Sequence, residues 1–211
     1  MKLFNGDGGL EEDIEDILYE LGNVGVGMVS TTIGQILGVR AEIGIPVVTE
    51  ANMDILMHIE KPEAAKIGIC LNFASTLSGA VLLILDMSFI HDIVEKLVNR
   101  KIDKEALLAD EESVSAISEF ANIIVASYMN AMGSYTGIRI FVTPVNVKLG
   151  MADKLVADAL ADLNMSCQKA LCVDTALSTI DSAGSRLSDV GHFIMMPDEL
   201  SVKKIVEAMD M

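Results

Sequence analysis

An α+β fold built from two copies of one unit is predicted by three features of the sequence. The segment Glu20-Leu-Gly-Asn23 returns 99 positions later as Glu119-Phe-Ala-Asn122. A long amphipathic helical pattern surrounds each copy, and short runs of β-forming residues follow it. Near the ends of the copies the spacing becomes 112, as for Gly79 and Gly191. Each unit is therefore predicted to have the order α-β-β-β-α.

The first unit, about residues 12–100, begins with a helix predicted from Glu12 to Leu37. Its apolar residues recur mostly at three- and four-residue spacing, and Gly38 is a typical residue for a helix end. Alternating apolar residues over 41–48 then predict a strand. Pro46 favours an edge or a bulge in that strand, because proline has no N–H to donate.

A hairpin and a second helix complete the first unit. Residues 67–85 are 19 consecutive positions without a charge, but turn-forming residues interrupt them at 72–79. The stretch is therefore predicted to form a buried hairpin of strands 66–73 and 79–86, and not a membrane span. A helix is predicted from Ser88, as its N-cap, to about Asn99.

The second unit, about residues 111–211, repeats this order. Its predicted elements are a helix Glu111–Met132, strands Gly137–Val147, Lys169–Ile180 and His192–Met196, and a helix Ser201–Met209. The rise in repeat spacing from 99 to 112 means that the second unit contains additional residues. We place them at 149–163 and 181–189.

The two units are predicted to fold together as a single domain of residues 1–211. Neither unit is expected to bury its sheet alone, so the prediction is one sheet across a pseudo-twofold axis, with the long helices packed on it. Short links between consecutive strands favour mainly antiparallel pairing. No stretch rich in Pro, Gly or Ser separates the units.

The composition excludes several classes of function. Hydrophobic residues make up 51% and charged residues 22%, which excludes a disordered chain. With 15 basic and 31 acidic residues the net charge is −16, which disfavours nucleic acid and membrane insertion and suits a basic protein patch or a metal-bearing partner. The acidic N-terminal sequence lacks the basic segment of a signal peptide, so we expect a cytoplasmic protein.

Cysteine and histidine patterns do not predict a metal centre or a nucleophile. The three cysteines are Cys70, Cys167 and Cys172, an odd count that argues against a disulfide framework. Cys167 and Cys172 lie close together without a nearby histidine, which supports zinc only weakly. No histidine lies beside a Ser or Cys in the manner of a nucleophile–base pair. We expect no metal ligands and no cofactor of the protein's own.

The repeated Glu-x-x-Asn segment is the candidate functional site. Glu and Asn three positions apart lie on one face of a helix, and an Asp or Ser precedes the Glu by one turn. A carboxamide both donates and accepts hydrogen bonds, so it can orient an attacking water without titrating. A carboxylate can hold a lysine of a partner. The two sets are Asp16, Glu20, Asn23 with Pro46 downstream, and Ser115, Glu119, Asn122 with Pro144 downstream.

A solvated helix face is the alternative interpretation of so short a motif. Gly22, Gly25 and Gly27 argue against it, since each weakens a helix by about 1 kcal/mol relative to Ala. Three glycines so close together indicate a close backbone approach, either by a neighbouring element or by a docked protein. Their order, G-x-x-G-x-G after a helix, differs from a dinucleotide-binding fingerprint.

At these residues the sequence resembles the CheC family of chemotaxis phosphatases, which includes CheX and the phosphatase part of FliY. The family pattern is an acidic residue or Ser, then Glu, then Asn, with a distal proline, and it fits both sets. The second proline comes one residue early, from which we expect a local bulge. Two intact Glu/Asn pairs resemble CheC more than CheX, which carries one.

The resemblance implies a phosphatase that hydrolyses the aspartyl phosphate of phosphorylated CheY. Asn23 and Asn122 would orient the attacking water, and Glu20 and Glu119 would hold a lysine of the response regulator. The Mg²⁺ would belong to the regulator. CheC proteins commonly also bind the receptor deamidase CheD, which makes CheD a second candidate partner. The alternative is a non-catalytic binding module for phospho-CheY or CheD. A small-molecule enzyme is disfavoured, because the sequence shows no residue pattern typical of a small-molecule pocket.

Overall fold

The computed structural model describes residues 11–38, 40–50, 64–162, 171–180 and 186–209. The helices of these segments are α1 Glu12–Leu37, α2 Met87–Val98, α3 Glu111–Thr136, α4 Ala152–Asp162 and α5 Glu199–Met209. The strands are β1 Arg40–Ile43, β2 Val47–Glu50, β3 Lys66–Ala74, β4 Ser78–Asp86, β5 Asn146–Gly150, β6 Leu171–Ile180 and β7 Arg186–Pro197. A short 3-10 turn, Lys104–Ala106, lies between α2 and α3. This is the α+β class predicted from the sequence.

One antiparallel sheet contains strands from both units and exchanges strands between them. Its order is β1-β6-β7-β4-β3-β5, and β2 also pairs with β6. The opening strands of the first unit, β1 and β2, thus pair with the second unit's hairpin. The opening strand of the second unit, β5, pairs with the first unit's hairpin. Each unit therefore completes the sheet of the other.

A pseudo-twofold axis passes through the centre of the sheet, between β4 and β7. Leu82 lies opposite Ile194, the residue 112 positions later, so equivalent residues face each other there. Gly79 and Gly191 take equivalent places with φ values of 158° and 150°. A Cβ on Gly79 would lie 2.3 Å from the carbonyl oxygen of Met196, and one on Gly191 would lie 2.1 Å from that of Ile84. Both glycines are thus required by the close approach of the two central strands.

The sheet is buried on both faces, and this accounts for the apolar run at 67–85. On one face, α1, α2, α3 and α5 pack over side chains such as Phe73, Leu83 and Phe193. On the other face, α4 packs through Leu155 and Val156 against β4 and β7. A strand with two buried faces has no apolar–polar alternation. Helix α4 lies within 149–163, where the sequence analysis placed additional residues.

Most predicted elements are confirmed, but the strand predicted at 137–147 is wrong. Residues 138–145 make only one isolated bridge, Phe73 to Val142, and the paired strand begins at Asn146. The Thr143 N–H donates to the carbonyl oxygen of Asn72, and Pro144 has no N–H with which to continue the ladder. The predicted "local bulge" at Pro144 is therefore a longer irregular segment.

Several further boundaries differ from the prediction, and helix α3 ends at Thr136 instead of Met132. The predicted strand 41–48 is split at residues 44–46 into β1 and β2, since Pro46 cannot donate to β6. Helix α2 begins at Met87 and its N-cap is Asp86, so Ser88 is not the cap. Strand β7 is longer than predicted, because it pairs with β6 and β4 along its length. Cys167 lies outside the described residues.

Candidate functional site

Both Glu/Asn pairs lie on the solvent-facing side of a pair of antiparallel helices. Helices α1 and α3 pack against each other. The hydroxyl of Thr32, late in α1, donates to that of Ser127 in α3 at 3.0 Å. Glu20, earlier in α1, contacts Tyr135, which comes later in α3. The first half of α1 therefore runs beside the second half of α3. Each pair lies near the start of its own helix and the end of the other one.

The side chains of the motif are accessible in both units. Glu20, Asn23 and Glu119 are exposed, and Asn122 is half-buried. Asp16 and Ser115, one turn earlier, are exposed as well. The structure therefore presents each carboxylate beside its carboxamide at the surface, as the helical spacing predicts. It does not bring the two pairs together into one site.

Pro46 supports the first pair from beneath. Gly22, between Glu20 and Asn23, is buried, and a Cβ there would lie 2.9 Å from both Cβ and Cγ of Pro46 and 3.0 Å from Cγ1 of Val173. Pro46 is itself buried. The distal proline thus packs under the helix turn that carries the pair and fixes the height of that turn above the sheet.

The second pair lacks this arrangement. Ala121 takes the place of Gly22, and its methyl group is fully buried. Pro144 is exposed, in the irregular segment before β5. The two prolines of the sequence motif therefore do not occupy equivalent environments, since Pro46 is buried under its pair and Pro144 is exposed.

The other glycines of α1 have different explanations. A Cβ on Gly25 would lie 2.3 Å from the ring of Tyr128, which stacks on Phe193 with centroids 4.4 Å apart. Gly25 therefore allows α1 to cross α3 closely. Gly27 is exposed, and a Cβ there would meet nothing within 4 Å. Neighbouring elements thus account for two of the three glycines, and Gly27 faces open space.

Tyr135, which no sequence pattern indicated, contacts the first pair. The hydroxyl of Tyr135, near the end of α3, donates to Oε1 of Glu20 at 2.5 Å. This hydrogen bond, together with burial and the negative charge of Glu20, raises the pKa of Tyr135. Within the described part of the chain, Glu119 has no hydrogen bond or ion pair. The contact joins residues 115 positions apart, so no local pattern could have shown it.

The helix starts next to the two pairs differ in charge. The first turns of α1 carry Glu12, Asp13 and Glu15, and no basic side chain pairs with them in the described segments. At the start of α3, Arg100 donates to Asp110 at 2.6 Å and to Glu112 at 3.0 Å. The surroundings of the second pair are therefore partly neutralised, whereas those of the first pair remain acidic.

Neither cleft that the described residues line contains a Glu/Asn pair. Two clefts of about 420 and 450 Å³ lie elsewhere, one around Asn99 and Lys101 and one around Ser134 and Phe141. No three His, Cys, Asp or Glu side chains of the described residues are grouped so as to hold a metal ion. None of the helices that the structure describes is long and apolar enough to cross a membrane.

Comparison with known proteins finds a near-full-length similarity to a chemotaxis phosphatase. No protein-family model matches the chain. Over 214 residues it is 28% identical to the CheY-P phosphatase CheC of Bacillus subtilis (strain 168), a match that covers 99% of this chain and 98% of the relative. The chain is thus similar to a CheC-family protein over nearly its whole length. The resemblance noted in the sequence is thereby confirmed.

Solved structures of related proteins show the same fold. FliY of Thermotoga maritima is 21% identical and has a TM-score of 0.68, with 95% of this chain and 98% of that chain covered. CheX in the CheX–CheY–BeF3–Mg²⁺ complex of Borrelia burgdorferi is 15% identical and has a TM-score of 0.53, with 84% and 97% covered. A common fold does not by itself establish a common chemistry, which depends on the residues of the site.

Proposed function

We propose that this protein hydrolyses the aspartyl phosphate of a phosphorylated CheY-type response regulator. The main support is the presence of two exposed Glu/Asn pairs at equivalent places on α1 and α3. The near-full-length similarity to a CheY-P phosphatase supports the same substrate class. The CheX–CheY complex shows that a protein of this fold associates with CheY.

The reaction requires little chemistry from this chain. A water molecule attacks the phosphorus, the bond from phosphorus to the aspartyl oxygen breaks, and the products are inorganic phosphate and the free Asp carboxylate. In such a transfer, catalysis is mainly positioning and charge stabilisation. The carboxamides of Asn23 and Asn122 would each orient the water, accepting a hydrogen bond through the oxygen and donating one through the nitrogen.

The two glutamates would hold the regulator in place. Glu20 and Glu119 lie one helical turn before their Asn, so a lysine paired with the carboxylate would bring the phosphorylated residue towards the carboxamide. Mg²⁺ bound to the regulator would neutralise charge on the phosphoryl group. Because both pairs are accessible to solvent, the docked regulator itself must exclude bulk water from the reaction.

Loss of both carboxamides tests the proposal. The variant Asn23→Ala/Asn122→Ala should still bind phospho-CheY but should no longer shorten its lifetime, measured with catalytic amounts of the protein. Asn130→Ala is a matched control, since Asn130 is an exposed asparagine of α3 outside the motif. The proposal fails if the double variant dephosphorylates phospho-CheY at the parental rate.

The same assay separates an enzyme from a binding module. Many phosphates released per chain indicate catalysis. Slow decay with one regulator retained per chain would identify a non-catalytic module for phospho-CheY. CheD remains a second candidate partner, and no residue of this chain is assigned to it.

A further inference from the structure

We propose that Tyr135 positions Glu20, and that the two sites of the protein are unequal for this reason. The inference rests on the proposed phosphatase function. Its basis is the hydrogen bond from the Tyr135 hydroxyl to Oε1 of Glu20, which joins the end of α3 to the first site on α1. Tyr135 is 43% exposed, so it lies at the surface that a docked regulator would cover.

The second site has no counterpart of this tyrosine. The residue 99 positions before Tyr135 is Ile36, an apolar side chain packed against the core. It cannot donate a hydrogen bond. Glu119 has no hydrogen-bonding or ionic partner among the residues that the structure describes. Its side chain therefore retains its rotamer freedom until a partner binds.

The hydrogen bond prepares Glu20 for an incoming lysine without blocking it. A carboxylate accepts about four hydrogen bonds, so one phenol on Oε1 leaves Oε2 and further lone pairs available. A free glutamate loses side-chain entropy when it pairs with a lysine, and Tyr135 reduces that loss for Glu20. The first site should consequently bind the regulator more tightly than the second one. Tyr135 acts through Glu20 and takes no part in the reaction itself.

Single-site variants isolate the effect. Asn122→Ala leaves only the first site, and Asn23→Ala leaves only the second. In the Asn122→Ala background, Tyr135→Phe should raise the KM for phospho-CheY about three- to tenfold, the effect of one charge-assisted hydrogen bond at the surface. The kcat should change little, because Asn23 remains. In the Asn23→Ala background, Tyr135→Phe should cause no further change.

A double-variant cycle excludes a merely structural role. In the Asn122→Ala background, Tyr135→Phe should add little to the loss caused by Glu20→Ala, since no carboxylate then remains for Tyr135 to position. Equal effects of Tyr135→Phe in the two backgrounds, additive losses with Glu20→Ala, or an unchanged KM would each overturn the inference. Activity that persists in Asn23→Ala/Asn122→Ala would instead overturn the proposed function, whatever Tyr135 does.

Discussion

Gly22 is the point of contact between the sheet and the helix turn that carries the first site. It lies between Glu20 and Asn23 on α1, and it is the point where Pro46 and Val173 touch that helix. A proline ring and a strand residue of a buried sheet cannot move far without disturbing β6. The distal proline of the motif therefore acts through packing, and the spacing of the pair above the sheet depends on the missing side chain at position 22.

Gly22→Ala should destabilise the protein, and Gly27→Ala should not. Alanine in place of glycine normally stabilises a helix interior by about 1 kcal/mol. At position 22 the added methyl would lie 2.9 Å from Pro46, so overpacking of about 1–3 kcal/mol should exceed that gain. At Gly27 nothing lies within 4 Å, so the gain should remain. Urea unfolding gives the change in the free energy of unfolding of each variant relative to the parent. Equal stability of the two variants would contradict this account.

At the scale of elements, α1 and α3 are equivalent helices with different N-terminal caps. The N-cap of α1, Glu11, makes no side-chain capping hydrogen bond. The N-cap of α3, Asp110, accepts from the Ser113 N–H at 2.9 Å and from the Ser113 hydroxyl, and pairs with Arg100. These contacts, the Ser113 hydroxyl foremost and then Arg100, lower the pKa of Asp110 from 3.8 to about 2.

This cap should make the stability of the protein pH-dependent in the acid range. A carboxyl whose pKa is lower in the folded state contributes stability above its unfolded pKa and loses it as the pH falls through the folded value. The contribution of Asp110 should therefore disappear between about pH 4 and pH 2. Asp110→Asn keeps an acceptor for the cap and removes the charge.

The measurement is the free energy of unfolding of the parent and Asp110→Asn across that range. The parent should be more stable at neutral pH, and the difference should shrink as the pH approaches 2. A difference that stays constant with pH would show that the charge of Asp110 does not contribute. Asp103→Asn, which alters the exposed cap of the short 3-10 turn, is a suitable control.

Local sequence patterns were sufficient to predict the long helices, whereas the irregular segment before β5 and the role of Tyr135 depend on contacts between distant residues. Helix α1 has the predicted bounds because its periodicity is strong and Gly38 takes a left-handed conformation with φ of 64°. The strand predicted at 137–147 failed because residues 138–145 have β-forming side chains but few partners in the sheet. Tyr135 was missed for the same reason, as its role depends on a helix 115 residues away.

At the scale of the whole molecule, the repeat produces a symmetric scaffold with asymmetric sites. The axis between Leu82 and Ile194 relates the central strands, and each unit supplies one of the two glycines that allow this contact. The sites on α1 and α3 differ in proline packing, in the tyrosine partner and in nearby charge. The sequence predicted two sites without ranking them, because Tyr135 and Arg100 lie outside the motif and the burial of the two prolines depends on the fold.

The exchange of strands implies that neither unit folds without the other. In an isolated first unit, β1 and β2 would lose β6, and β4 would lose β7. An isolated second unit would lose β3 as the partner of β5. Both would expose apolar surface that the full chain buries, and unpaired strand edges as well.

Fragments 1–103 and 104–211 test this implication directly. Each alone should show no cooperative urea transition, whereas an equimolar mixture should recover one together with the far-UV circular dichroism of the full chain. The cut lies beside the exposed 3-10 turn, so it removes no strand or long helix. Cooperative unfolding of either fragment by itself would mean that a unit is an independent domain. Recovery only on mixing would mean that the second copy of the repeat is needed to complete the first.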